Sequence, residues 1–272
     1  MNDPADVIAQ CFVDARIHAC ALPDFPGAIP PDLSAGYRVQ DAAIVRWPDH
    51  IAGWKVGYIA SERRDASGDE RLLGPVFAQA VWPARVDEEI AFPVFSGGFA
   101  AVEAEFAFVL AADAPATQTQ WTRDQAAELV SSLHIAIETA GSPLAIINVL
   151  GPIVVVSDFG NNAGLILGPK IADWRQQRDE ELVCATSIDG REVGRGSAAS
   201  LPGGPLSALA FALSRNAQRG RALKAGDIVT TGAATGIHDI RAGQRAEISF
   251  GKYGSLRCIA VNAHGANHAD TP

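Results

Sequence analysis

Two glutamates in Ala100-Ala-Val-Glu-Ala-Glu-Phe-Ala-Phe-Val-Leu110 stand two residues apart inside an apolar run. Side chains alternate faces along a β-strand, so Glu103 and Glu105 share one side with Ala101 and Ala107. Val102, Ala104, Phe106, Phe108 and Leu110 make the other side. Two like charges about 7 Å apart beside small apolar neighbours repel, and one takes up a proton unless a cation lies between them. A hard divalent ion satisfies both. The competing reading is the ordinary one-sided antiparallel strand whose polar face meets water, and spacing alone favours it.

Other residues change that balance. Lys55, one of four lysines, lies in the apolar stretch Ile51-Ala-Gly-Trp-Lys-Val-Gly-Tyr-Ile-Ala60 between Gly53 and Gly57. Glycines at i−2 and i+2 leave a slot beside the ammonium where a ligand could approach. A desolvated lysine serves as an acid/base or holds a carboxylate; the alternative is a strand-edge lysine reaching to solvent. Residues 124–140 carry Ala127, Leu129 or Val130, Leu133, Ile135 and Ile137 at a spacing that predicts the longest helix of the chain. His134 and Glu138 then share one helix face, and Glu138 sits near the carboxy end, where the macrodipole disfavours its charge. Two further segments offer amides, hydroxyls and backbone N–H groups to an oxyanion: Ser157-Asp-Phe-Gly-Asn-Asn-Ala-Gly164, which contains Asn162, and Ala225-Gly-Asp-Ile-Val-Thr-Thr-Gly-Ala-Ala-Thr-Gly236, which contains Thr231 and Gly232. Both are also ordinary turn chemistry.

Composition narrows the field. The chain has 272 residues, 48% of them hydrophobic, and a formal net charge of −9. That is enough for a sizeable core, and the charge argues against nucleic acid or an anionic membrane as partner. The start, Met-Asn-Asp-Pro-Ala-Asp, is acidic where a secretory signal is basic, and no run approaches the roughly 20 apolar residues of a membrane span. A cytoplasmic location is expected. The four cysteines and six histidines show no zinc-ligand spacing, so oxygen ligands and a hard ion are the expected metal chemistry.

These residues need elements to hold them. The patterning predicts helices over about 5–20, 35–47 with Ser34 as cap, and 205–219, besides 124–140. Strands are expected at 51–60, in short pieces over 75–95, and at 153–156, 165–167, 182–188, 227–231, 246–250 and 256–261, with a loop over 61–70. The fold class is α+β. A helical amino-terminal part, residues 1–80, packs on a β-rich, mixed-sheet domain over 81–262, followed by a tail, 263–272.

Gly53-Trp-Lys-Val-Gly57, Val102-Glu-Ala-Glu-Phe-Ala-Phe-Val-Leu110, Ala136-Ile-Glu138, Ser197-Ala-Ala-Ser with Gly204-Pro-Leu-Ser-Ala-Leu209, and Gly226-Asp-Ile-Val-Thr-Thr-Gly232 occur in that order. In this the chain resembles the hydratase and decarboxylase branch of the fumarylacetoacetate hydrolase superfamily. The resemblance covers nearly the whole chain and implies a roll-like or barrel-like β domain. It implies Mg2+ or Mn2+ held by Glu103, Glu105 and Glu138, Lys55 as catalytic residue, and Gly57, Asn162, Thr231 and Gly232 around a 2-keto acid. It also implies self-association. Two departures stand out. Gln79 occupies the region where the branch carries an acid, and Glu138-Thr-Ala-Gly-Ser-Pro143 lacks the branch's following Asp and Arg.

The expected function is therefore a metal-dependent hydratase acting on a 2-hydroxy-dienoate or 2-keto acid in the catabolism of aromatic compounds. The alternatives are decarboxylation of 2-oxo-3-hexenedioate on the same fold, or a catalytically silent homologue that binds metal or 2-keto acid.

Overall fold

A computed structural model describes residues 3–265. In chain order the elements are α1 (Pro4–Ile17), α2 (Leu33–Arg46), β1 (Ile51–Tyr58), β2 (Arg71–Phe77), β3 (Val81–Pro83), β4 (Glu89–Val94) and β5 (Phe99–Leu110). Next come α3 (Arg123–Glu128), β6 (Val130–Ser142), α4 (Ile147–Leu150), α5 (Pro152–Ser157), β7 (Asn162–Lys170), β8 (Val183–Ile188) and β9 (Arg191–Ser197). The chain ends with α6 (Pro205–Gln218), β10 (Ile228–Thr230), β11 (Ile237–Asp239), β12 (Arg245–Ser249) and β13 (Ser255–Asn262).

One sheet runs β2-β1-β10-β5-β6-β7-β3, with β11 also paired to β5; a second runs β4-β13-β12-β8-β9. Both are mixed, with β1–β10, β3–β7 and β4–β13 parallel and the other pairs antiparallel. The first sheet must curl. Strands β2 and β3 lie at opposite ends of its order, about 29 Å apart if flat at ~4.8 Å per strand, yet only residues 78–80 join them, a reach of about 14 Å. This is the expected α+β class with a barrel-like sheet. The boundary expected at residue 80 falls between β2 and β3, so the first sheet itself crosses that position.

Both faces of β5 are buried, and the two faces carry different loads. Val102, Ala104, Phe106, Phe108 and Leu110 join the main core with α6 and the second sheet. Inside the curl, Val76, Ala107, Ala136, Leu165 and Ile228 form a separate plug of mostly small apolar residues, one from each of β2, β5, β6, β7 and β10. The carboxylates stand on this inner face.

Three expectations are corrected. The predicted helix 124–140 is a capped turn, α3, followed by the thirteen-residue strand β6. Thr122 and Gln125 form a capping box, but from Val130 onward the chain pairs with β5 on one side and β7 on the other. Burial on both faces fills β6 with apolar residues and hides its period of two. The predicted strand 153–156 is α5, started by Gly151 and by Pro152 at its first position. Helix α2 begins at Leu33, and its cap is Asp32, whose side chain accepts from the Ala35 N–H at 2.8 Å, in place of Ser34. Most of the expected tail lies outside the described residues.

Candidate active site

Antiparallel pairing of β5 with β6 places Glu103 directly opposite Glu138, and Glu105 opposite Ala136 on the same face. Like charges facing each other across strands oppose pairing, and these are out of water as well: Glu103 is 3% exposed, and Glu105 and Glu138 are fully buried. The solvated-strand reading is thereby excluded. One oxygen from each of the three carboxylates lies within 4.8 Å of the others.

Glu105 and Glu138 are each held through one oxygen, and all three carboxylates are left open at one oxygen. The backbone N–H groups of Thr231 and Gly232 donate to Glu105 Oε2 at 2.7 and 2.6 Å. Gly232 has φ of 112°, so the turn after β10 that presents these two donors favours glycine there. Asn162 Nδ2 donates to Glu138 Oε1 at 3.0 Å. Glu103 Oε1, Glu105 Oε1 and Glu138 Oε2 are buried without a hydrogen-bond partner. Three converging, unpartnered carboxylate oxygens with no nitrogen or sulfur among them fit a hard divalent cation, and they fit little else.

Lys55 points to the same place. It is 4% exposed, its Nζ lies 3.4 Å from Glu138 Oε1, and it donates to Asn161 Oδ1 at 3.0 Å. Burial works against the ammonium, but Glu138, Glu103 and Glu105 outweigh it and hold its pKa above the ordinary lysine value. Among the carboxylates, burial and then Glu138 push Glu103 up to about 8, against the pull of Lys55. Glu105 is raised well above the ordinary carboxylate range by burial, Glu138 and Glu103, with the Gly232 N–H opposing. A cation among them would relieve all of these.

The two glycines beside Lys55 serve different ends. A Cβ on Gly57 would stand 3.7 Å from Lys55 Nζ and 3.1 Å from Leu72 Cδ1, so its absence keeps the slot open. A Cβ on Gly53 would lie 2.1 Å from the Ile228 carbonyl oxygen, so Gly53 permits β10 to approach and opens nothing for a ligand. His134 does not join the carboxylates; its ring pairs with Ser132 Oγ and the Gly168 carbonyl oxygen.

Lys55, Gly57, Glu103, Thr231 and Gly232 line a cavity of about 510 Å³. Glu105 and Glu138 are not among its lining residues, and Asn162 lines a second cavity. Gln79 is in that second cavity too, beside Trp47, Asp49 and Phe77. The β2 residue opposite Gly57 is Leu72, and it lines the first cavity. Leu72, Arg63 and Arg71 are site residues without a local sequence signal, whereas Asn161 belongs to the Asx-rich loop 157–164 that the sequence marks. Asn161 follows two other residues of positive φ, Phe159 and Gly160, and only that turn brings its amide to Lys55.

Residues 76–261 match the family model for the fumarylacetoacetate (FAA) hydrolase C-terminal region. The chain belongs to the fumarylacetoacetate hydrolase family. Within it, a 4-oxalocrotonate decarboxylase from a Pseudomonas species is 33% identical over 104 residues, which is 38% of this chain and 39% of that relative's length. A solved 4-oxalocrotonate decarboxylase from Pseudomonas putida G7, complexed with magnesium and adipate, superposes with a TM-score of 0.78 at 19% identity, covering 94% of this chain and 97% of that one. Fumarylpyruvate hydrolase from Pseudomonas aeruginosa, in complex with Mn2+ and pyruvate, gives 0.54 at 17% identity over 77% of this chain and 89% of its own. At these identities the structural likeness is one of fold. Among the described residues of this family member, no helix is long and apolar enough to cross a membrane.

Proposed function

We propose that the protein is a divalent-metal-dependent carboxy-lyase that removes carbon dioxide from an unsaturated 2-oxo diacid of the 2-oxo-3-hexenedioate type. The observation that carries this reading is the cavity's division of labour. The lining gathers Glu103 and Lys55, with Glu138 opposite Glu103 on the paired strand; the rest includes apolar Ile59, Leu72 and Val155 and the guanidinium groups of Arg63 and Arg71. Glu103, Glu105 and Glu138 would hold the ion, which when bound supplies electrophilic activation of the 2-oxo acid head. Among the described residues lining the cavity the sole carboxylate is Glu103, and there is no histidine.

That inventory suits a reaction with little proton traffic. In decarboxylation the bond between the chain and its far carboxylate breaks, and CO2 leaves. The electron pair passes through the conjugated system to the 2-oxo oxygen, where the Lys55 ammonium is placed to stabilise the charge and to give up a proton. Hydration, the reading placed first on sequence alone, must both activate water and protonate carbon, and it is less well served here. The name of the Pseudomonas relative supports the same order of preference.

The test is to supply the purified protein and Mg2+ with 2-oxo-3-hexenedioate and, separately, with 2-hydroxypenta-2,4-dienoate. Metal-dependent CO2 release from the first, with no loss of the second compound's ultraviolet absorbance, is the expected result. Water addition to the second without CO2 release from the first would restore the hydratase. Inertness toward both would leave a silent binding protein.

A further inference from the structure

The end of the cavity away from the carboxylates is cationic. Arg71 opens β2 opposite Tyr58, and its side chain, 11% exposed, lines the cavity. It donates to the Pro202 carbonyl oxygen, and its guanidinium lies 5.9 Å from the Tyr58 ring centroid. Its one carboxylate neighbour is Glu70, 3.8 Å away with a side chain 54% exposed. Glu70 also pairs with Arg64 at 3.1 Å, so the Arg71 pairing is long, shared and screened. Burial lowers the Arg71 pKa by more than Glu70 and Tyr58 restore, the mark of a guanidinium short of anionic company. Arg63 also lines the cavity, with Nη1 and Nη2 donating to the Asn148 and Val149 carbonyl oxygens at 2.7 and 3.2 Å. The cavity thus holds Arg71 where β1 and β2 end, beyond Gly57, and the carboxylates beside Lys55.

Arg71 stands opposite Tyr58, three residue steps beyond Lys55 on β1, about 10 Å of backbone at ~3.4 Å per residue. An odd number of steps puts it on the other face of the strand pair, but it lies where both strands end, and there its side chain still lines the cavity.

We infer that Arg71 receives the far carboxylate of the substrate and sets specificity for 2-oxo diacids over 2-oxo monoacids. This rests on the function proposed above and adds the residue that chooses the substrate. It also predicts a kinetic signature. A carboxylate that departs as neutral CO2 gives up its ion pair on the way to the transition state, so Arg71 contributes to binding and not to rate.

Calorimetry on the Mg2+-loaded protein tests this without turnover, using oxalate for the carboxylate end and adipate against hexanoate for the arginine end. The wild type is expected to prefer adipate over hexanoate at least tenfold. Arg71→Gln should lose that preference while keeping oxalate affinity, and Arg71→Lys should retain part of it. In turnover, Arg71→Gln should raise KM for the diacid at least tenfold with kcat unchanged or higher. A wild type that binds no oxalate would strike the function itself. A variant that binds oxalate normally and still prefers adipate, or one whose kcat falls at constant KM, would overturn the role of Arg71 alone.

Discussion

Asn161 is where a single side chain has most leverage on the site. Its amide oxygen accepts from Lys55 at 3.0 Å, and its Nδ2 donates to Asn148 Oδ1 at 3.0 Å, so the amide cannot flip without losing both. Its φ of 55° suits asparagine or glycine and few others. Asn161→Gly therefore keeps the turn and removes the amide, whereas Asn161→Ala loses the amide and also adds about 1 kcal/mol of backbone cost. With its acceptor gone, Lys55 is expected to wander by a fraction of an ångström or more. We expect Asn161→Gly to lower kcat roughly 10- to 100-fold, with Mg2+ affinity and melting temperature close to wild type. Steady-state kinetics alongside a calorimetric metal titration checks this, and a wild-type kcat would dismiss the positioning role.

At the scale of elements, the turn over 159–161 is held in place by β2. A Cβ on Gly74 would lie 2.0 Å from the Phe159 carbonyl oxygen and 2.9 Å from Gly160 Cα, backbone atoms that cannot swing aside. Gly74→Ala must separate β2 from that turn, and we expect a loss of about 3 kcal/mol or more, a drop of roughly 6–12 °C in melting temperature. Gly68→Ala is the control for crowding, since nothing lies within 4 Å there and its cost is only that of a positive φ, 73°. Equal melting temperatures for the two variants would show that the contact relaxes freely. The same element scale explains what the sequence disclosed. The alternation around Glu103 and Glu105 was legible because small residues flank the acids on their own face. Glu138 was legible as a misplaced charge, but its helix was not real, because a strand buried on both sides has no period to read. Strand β9 was missed for the opposite reason: Arg191-Glu-Val-Gly-Arg-Gly-Ser197 is polar and carries no apolar alternation. Leu72 and Arg71 reach the site only through register, which leaves no local mark; Asn161 lies in a loop marked by its Asx and Gly content, but nothing local shows that its amide meets Lys55.

For the molecule as a whole, the buried carboxylates couple folding to pH and to metal. In the metal-free protein, Glu103 has its pKa raised from 4.5 to about 8 by burial and by Glu138, and Glu105 is raised in the same direction. The folded state therefore holds protons that the unfolded chain has released between pH 4.5 and about 8, so stability falls as pH rises through that window. The slope is at most about 1.4 kcal/mol per pH unit for each proton. Below the window both states are protonated and the penalty vanishes; above it both are ionised and the penalty is complete. A divalent ion replaces those protons as the partner of the three acids, so its stabilisation must grow over the same range. Thermal melts at about pH 5.5 and about pH 7.5, in chelator and in millimolar Mg2+, give the four values required. We expect chelated protein to melt lower at the higher pH, with Mg2+ raising the melting temperature strongly there and weakly at the lower pH. Glu103→Gln removes one of the acids and should shrink both the pH slope and the response to Mg2+. A chelated melting temperature that does not fall with pH, or a Mg2+ response that Glu103→Gln leaves intact, would mean that these carboxylates are not where the ion is held.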